Sequence, residues 1–193
     1  MVRVTGGRLA GRRLRAVAGT LTRPTSDRVR QSLFGVLGER VAGTRVLDLF
    51  AGTGALAIEA LSRGAASAVL VESVPAAVAV ARANLEDLGL SGQATVRRTR
   101  AESWLRTQRD GVFDLVLLDP PYELRVGFVA GVLGRLSRTA LAADALVVLE
   151  AAARGEAPPW PPGLEPFDAR RYGDTAVHLA RWTGPAGSSG RTP

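Results

Sequence analysis

Three groups of residues in this sequence have types and spacings that could do chemistry. The first is D-P-P-Y, Asp119 to Tyr122, reached directly from the apolar run F-D-L-V-L-L at 113–118. Its prolines fix φ and donate no backbone hydrogen bonds, which leaves carbonyls at this corner to face a ligand. An exocyclic amine on a nucleobase is a poor nucleophile, because its lone pair is delocalised into the ring. The carboxylate of Asp119 and the carbonyl of Pro120 could accept its two N–H hydrogens and localise that lone pair for attack on a sulfonium methyl. Tyr122 could stack on the base, a contact of roughly 1–3 kcal/mol, once the base is turned out of its stack. A Pro-Pro turn that merely ends a strand is the plainer reading, but it does not account for the other two groups.

The second group is D-L-F-A-G-T-G-A at 48–55, and the third is Glu72, roughly 20 residues beyond its first glycine. Gly52 and Gly54 lack Cβ atoms, so the backbone can turn sharply and approach a ligand there. A carboxylate at Glu72 can accept hydrogen bonds from ribose hydroxyls. With Asp48 and Phe50 in the same loop, these residues describe a site for a nucleoside-containing cofactor. Gly52 to Ala57 also fits the relaxed dinucleotide fingerprint G-x-G-x-x-A, so a nicotinamide cofactor has to be weighed. Asp48 tips the balance. An acid ahead of both glycines sits badly beside a pyrophosphate and suits the cationic amino-acid end of S-adenosylmethionine. Hydride transfer would also want a His, Lys or Tyr nearby. The chain has no lysine, and its one histidine, His178, lies in a terminal strand-like run.

The elements that must position these groups read as a βαβα alternation. Strands are expected at 45–51, 67–73, 94–99, 113–119 and 145–151, with helices over A-L-A-I-E-A-L-S-R-G, P-A-A-V-A-V-A-R-A-N-L-E-D-L-G, a short A-E-S-W-L-R-T-Q and V-G-F-V-A-G-V-L-G-R-L. Three of the strands are nearly continuous apolar runs, the pattern of strands covered on both faces. Such alternation implies a doubly wound parallel α/β sheet. The ending departs from it: a Pro-rich stretch, A-P-P-W-P-P-G-L-E-P, precedes two strand-like runs separated by Gly173-Asp174, which favours an antiparallel hairpin. The tail from 184 to 193 has no apolar pattern and is expected to be disordered. Ahead of the alternation, Val2 to Val17 reads as a hairpin around Gly6, Gly7 and Gly11. T-R-P-T at 22–25 breaks the chain, and Thr25 or Ser26 could cap a helix with Val29, Leu33, Val36, Leu37 and Val41 on one face, ended by Gly43. The domain boundaries expected are 1–43 for this extension, 44–183 for the catalytic body and 184–193 for the tail.

Composition narrows the function classes. The 193 residues are 46% apolar, enough for a sizeable core. No apolar run approaches the roughly 18 residues of a membrane span, the N-terminus lacks the pattern of a secretory signal, and the chain is expected in the cytoplasm. With no cysteine and one histidine, neither a thiolate nor a histidine metal site is expected. The charge is uneven. Residues 1 to 45 hold ten arginines against two acids, a net of +8, while residues 46 to 193 hold 15 arginines against 16 acids, a net of −1. A basic arm on a near-neutral body is the footprint expected of a protein that grips phosphates. The candidates for that grip are Arg3, Arg8, Arg12, Arg13, Arg15, Arg23, Arg28 and Arg30.

D-P-P-Y together with V-L-D-L-F-A-G-T-G resembles the class I S-adenosylmethionine-dependent amino-methyltransferases. T-R-P-T-S-D-R-V-R-Q-S-L-F at 22–34, L-D-L-F-A-G-T-G-A-L-A-I-E-A-L-S-R-G-A at 47–65, the opening V-T-G-G-R-L-A-G-R-R-L and the closing Y-G-D-T resemble, more specifically, the RsmD family of small-subunit (16S) ribosomal RNA guanine-N2 methyltransferases. The resemblance implies a seven-stranded Rossmann-like fold acting on a guanine of the assembled 30S subunit. It matches Asp48, Gly52 and Gly54 to the cofactor loop, Glu72 to the ribose ligand, and Asp119, Pro120, Pro121 and Tyr122 to the catalytic motif. After the third strand it places the adenine near Ala101 and Glu102, and it makes the N-terminal arginines the RNA grip. A monomer is assumed. Two other readings stay open: a DNA adenine-N6 or cytosine-N4 methyltransferase, for which D-P-P-Y would serve equally, and an RNA-binding assembly factor without catalysis. Protein glutamine methylation is less suited, since it typically uses Asn in place of Asp119.

Overall fold

The computed structural model describes residues 2–17, 26–108, 112–121 and 126–185. Two compact units make up the chain, Met1–Ala101 and Glu102–Pro193.

The first unit opens with a two-stranded antiparallel hairpin, β1 (Val2–Arg3) and β2 (Arg13–Leu14), in which Val2 pairs with Leu14. Both strands are shorter than the sequence suggests, because a 3-10 turn at Gly7–Leu9 fills the space between them. Gly7 is required there: its φ is +75°, and a Cβ would lie 2.0 Å from the carbonyl oxygen of Ser62. Helix α1 (Asp27–Leu37) is capped by Ser26, whose side chain accepts the Val29 N–H. It stops at Gly38, with φ +56°, and not at the expected Gly43; a 3-10 turn, Gly38–Val41, covers the difference. The parallel set follows: β3 (Arg45–Leu49), α2 (Ala55–Ser62), β4 (Ser67–Glu72), α3 (Pro75–Asp87) and β5 (Ala94–Arg98). β4 lies between β3 and β5, with Leu47 opposite Val69 and Val69 opposite Thr95. Leu47, Leu49 and Leu70 are wholly buried, and each contributes on the order of 1.5–3 kcal/mol.

Helix α2 is buried from Leu56 to Ser62, so its one acid, Glu59, is an interior charge. Thr5 donates to both of its oxygens, from its backbone N–H and its hydroxyl, at 2.7 Å each. Arg63 donates from Nε at 2.8 Å, with its guanidinium 5.3 Å from the ring centre of Phe34. Arg30 supplies a second cation, 3.3 Å from Glu59, and also bonds to Asp27 at 2.8 Å and to the carbonyl of Arg3. Arg30 was expected among the RNA-gripping arginines. With no exposed surface and this set of partners, it is a structural residue that fixes α1 and β1 to α2.

The second unit begins at Glu102, one residue into α4 (Ala101–Thr107), and continues to β6 (Phe113–Leu118), with the Trp104 and Phe113 rings 5.9 Å apart. Helix α5 (Val126–Thr139), β7 (Leu141–Ala152), β8 (Leu164–Tyr172) and β9 (Thr175–Trp182) complete it, in the strand order β6-β7-β9-β8. β6 and β7 are parallel, and β9 runs antiparallel to both β7 and β8. The expected terminal hairpin is present, turning at Gly173-Asp174 between the paired Tyr172 and Thr175. β7 starts four residues before its expected position, at Leu141. The extra residues form an irregularity in which Phe113 pairs with Leu141 but Leu115 pairs with Leu146, around Asp144 at φ +58°. Among the described residues, no helix is long and apolar enough to cross a membrane. The tail from 186 on lies outside the described residues.

Replacing Glu59 by alanine leaves Arg30 without its main interior counter-charge. Urea unfolding is expected to show a loss of about 3–5 kcal/mol. A loss below about 1 kcal/mol would show that the hairpin and α1 do not need the cluster.

Candidate active site

Both candidate groups sit where open parallel sheets bind ligands, at the carboxyl ends of strands. In the first unit β3 delivers Asp48 into the interior, fully buried, and its Oδ2 accepts the N–H of Ala57 at 3.1 Å. Ala57 lies in the first turn of α2, where backbone N–H groups are unsatisfied by the helix and carry partial positive charge. The helix end that would face a pyrophosphate in a dinucleotide fold therefore faces the chain's own carboxylate.

The loop that follows is held in unusual backbone conformations. Phe50 has φ +67°; among the described non-glycine residues only Asp144 shares a positive φ. A bulky residue in that region costs on the order of 1–3 kcal/mol and persists where its surroundings fix it, often at ligand sites. Gly52 at φ +54° and Gly54 at φ +82° continue the turn, and Gly54 becomes the N-cap of α2. A Cβ on Gly54 would come 2.8 Å from the Leu70 side chain, whereas one on Gly52 would meet nothing within 4 Å. The loop is thus packed at Gly54 and open at Gly52.

Glu72 joins this loop to the end of β4. Its Oε2 accepts the Gly52 N–H at 2.9 Å, and its Oε1 accepts the N–H groups of Ser73 and Val74 at 2.7 Å each. A carboxylate has about four acceptor positions, so one remains for a donor such as a hydroxyl. Asn84 of α3, buried and not singled out by the sequence, donates to the carbonyls of Thr53 at 3.0 Å and Arg15 at 3.2 Å and accepts the Arg15 N–H at 2.7 Å. Ala101 is buried at the start of α4, and Glu102 beside it is half-buried.

In the second unit β6 ends at Leu118 and the D-P-P corner follows. Asp119 is half-buried, Pro120 buried and Pro121 exposed; Tyr122 lies outside the described residues. Pro120 and Pro121 border a groove of about 140 Å3 whose other walls include Val126 and Val129 of α5, Glu150 of β7 and Ala157 to Pro159. The Pro-rich stretch thus forms one side of this groove, a role that its composition did not reveal. Sequence reasoning also passed over Glu150, although an acid inside A-L-V-V-L-E-A was the signal available. His178 is half-buried on β9, paired with Leu149; burial, and then the charge of Arg171, pushes its pKa below the usual imidazole range. It is a strand residue, neutral near pH 7.

The basic arm is more engaged with its own unit than its charge suggests. Arg15 forms a two-pronged pair with Asp87 at 2.7 and 2.9 Å, Arg12 donates to the Asp87 carbonyl at 3.1 Å, and Arg8 donates to Gln93 at 2.8 Å. Arg3 lies 4.0 Å from Asp27. Arg13 and Arg28 are exposed, and Arg23 is outside the described residues.

Comparison with known proteins gives the family and the fold. The family model described as "Conserved hypothetical protein 95" matches residues 2–181. Ribosomal RNA small subunit methyltransferase D of Escherichia coli is 37% identical over 179 residues, covering 92% of this chain and 88% of that protein. The solved structure of the E. coli protein yhhF superposes with a TM-score of 0.85 at 33% identity, over 94% of this chain and 98% of the other. An RNA methyltransferase from Salinibacter ruber, in complex with S-adenosyl-L-homocysteine, has a TM-score of 0.62 at 20% identity, over 89% and 97% of the two chains. At that identity it speaks for the fold alone, which is the expected Rossmann-like class I methyltransferase fold.

Glu72→Ala removes the acceptor of three backbone N–H groups. Amide exchange at Gly52, Ser73 and Val74 is expected to accelerate about tenfold or more, with the amides of β3 and β4 unchanged. Unaltered exchange at all three would disprove the anchoring role.

Proposed function

This chain belongs to the RsmD family, and from that premise we propose that it methylates small-subunit ribosomal RNA, at the exocyclic N2 amine of a guanine in the assembled 30S subunit. When bound, S-adenosylmethionine supplies an electrophilic methyl group on a sulfonium. The residues present suit that cofactor. Asp48 fills the anion position at the start of α2, so its charge favours a ligand with a cationic end over a pyrophosphate. Gly52 leaves room beside the loop, and Glu72 keeps an acceptor position for a ribose hydroxyl. Phe50, Ala101 and Glu102 are assigned to the same site.

The observation that carries the reaction is the D-P-P corner at the end of β6, with Pro120 and Pro121 bordering a base-sized groove. There the Asp119 carboxylate and the Pro120 carbonyl accept the two N2–H hydrogens and return the lone pair to the nitrogen. As the new N–C bond formed, the sulfur–methyl bond would break with its electron pair left on sulfur as a thioether, and the cationic nitrogen would lose one of its protons through Asp119 to solvent. Tyr122 holds the base by stacking. The arm supplies phosphate contacts, which give affinity and register without reading the base. Arg13 and Arg28 face outward for this; the pair of Arg15 with Asp87 is exposed, worth little by itself, and can exchange its partner for a phosphate. The site of action is the cytoplasm, with the protein as a monomer.

The test is transfer of labelled methyl from S-adenosylmethionine to unmodified 30S subunits, naked small-subunit RNA, duplex DNA and total protein. Label on 30S subunits, recovered as N2-methylguanosine, is the expected result; label on DNA would replace the substrate assignment. Asp119→Ala is expected to lower the rate by about 10²–10⁴-fold with cofactor binding by calorimetry retained, and a wild-type rate would remove Asp119 from the chemistry. Arg13→Ala combined with Arg28→Ala is expected to flatten the salt dependence of binding by about 1.5 in log–log slope; an unchanged slope would place the phosphate grip elsewhere.

A further inference from the structure

Glu150 is a carboxylate in an apolar setting. It is 7% exposed on β7, follows Val147, Val148 and Leu149, and faces Val177 on β9. Burying a carboxylate costs several kcal/mol unless donors meet it, and Glu150 has a partner within the protein; its acceptor capacity exceeds one bond. Two observations point to the groove. Glu150 borders it together with Pro120 and Pro121. Leu118 pairs with Leu149 in the parallel register, so the next residues, Asp119 and Glu150, follow side by side at the carboxyl ends of β6 and β7.

Two neighbouring carboxylates present acceptors only, and they select a ligand edge with two neighbouring donors. Among the four RNA bases, a ring N–H beside an exocyclic amine occurs only on guanine, at N1 and N2. Adenine and cytosine place a ring-nitrogen acceptor beside their amine, and uracil has no amine. We propose that Glu150 is the residue that makes the site specific for guanine, accepting the ring N1–H while the N2 amine is presented to Asp119. Val126, Val129 and the Pro158-Pro159 wall give the flat, apolar sides that a base ring requires. A carboxylate accepts up to about four hydrogen bonds, so a donor from the protein and N1–H can share it. The inference rests on the guanine-N2 reading above and supplies what Asp119 alone does not, since Asp119 would serve any exocyclic amine.

The experiment compares the wild type, Glu150→Gln and Glu150→Ala on unmodified 30S subunits with labelled S-adenosylmethionine, measuring kcat, KM and the methylated nucleoside. The amide carbonyl of Gln can still accept N1–H but lacks the charge. Glu150→Gln is expected to lose about tenfold in kcat/KM and Glu150→Ala about 100-fold, as for a hydrogen bond to a charged group. The loss should fall on kcat, with KM nearly unchanged because phosphate contacts dominate affinity. Cofactor affinity and the urea midpoint should match the wild type. Wild-type kcat/KM in both variants, with N2-methylguanosine still formed, would overturn the role of Glu150 and leave the guanine reading intact. Loss of cofactor affinity or of cooperative unfolding alongside activity would make Glu150 a structural residue and overturn the role equally. Wild-type label on a nucleoside other than guanosine would overturn the guanine reading, and this inference with it.

Discussion

An ionised side chain can occupy a protein interior only where opposite charge and hydrogen-bond donors surround it, and Glu59 sets that requirement for the whole N-terminal part of this chain. It lies midway along a helix with no exposed surface, so its charge must be met from neighbouring elements. Thr5 comes from the hairpin, Arg30 from α1 and Arg63 from the C-cap position of α2. Three segments are thereby fixed in one arrangement. An apolar residue at 59 would remove the desolvation cost but also the directionality, since hydrophobic contact does not specify which donor must face which oxygen. The hairpin's own two-residue strands are too short to be stable alone. Its attachment to α2, including the close approach of Gly7 to Ser62, is what gives it a fixed place.

The same logic of borrowed hydrogen bonds extends along α3. Asn84 satisfies the backbone of Arg15 on one side and the carbonyl of Thr53 on the other. One buried amide therefore holds both the end of the basic hairpin and the glycine loop of the candidate cofactor site. Charge counted along the sequence does not capture this. Of the arginines that make the first 45 residues so basic, Arg30 is interior, and Arg8, Arg12 and Arg15 rest on Gln93 and Asp87. The outward-facing charge is correspondingly smaller than the net of +8 in that segment.

Much of the fold was legible because its signals are local. V-L-D-L, A-V-L-V and L-V-L-L are apolar runs bounded by turn residues, and each became a buried strand. Gly173-Asp174 between two β-rich runs gave the terminal hairpin. The errors come from effects that no window contains. Gly38 and Gly43 look alike in sequence, and only packing decides that the helix ends at the first. The early start of β7 runs through A-A-D-A, which has no strand pattern and needs Asp144 in a left-handed conformation. Arg30 reads as a surface residue because its counter-charge, Glu59, is 29 residues away. At the candidate site, the types and spacing of glycines and acids pointed to Asp48, Gly52, Gly54 and Glu72, which the structure gathers around one loop, whereas the strained φ of Phe50 and the bridging by Asn84 belong to three dimensions.

The choice of cofactor class turns on where negative charge sits at the start of α2. A helix N-terminus offers N–H groups and a partial positive charge, and an anion bound there gains from both. In a dinucleotide site that anion is the pyrophosphate. Here Asp48 occupies the position through the Ala57 N–H, and a second anion brought to the same end would meet a buried carboxylate in a medium of low dielectric, where like charges a few ångströms apart repel by several kcal/mol. Glycine spacing alone cannot tell the two cofactor classes apart, since both need close backbone approach at Gly52. The acid four residues before it can, because it changes the sign of the charge that the loop will accept.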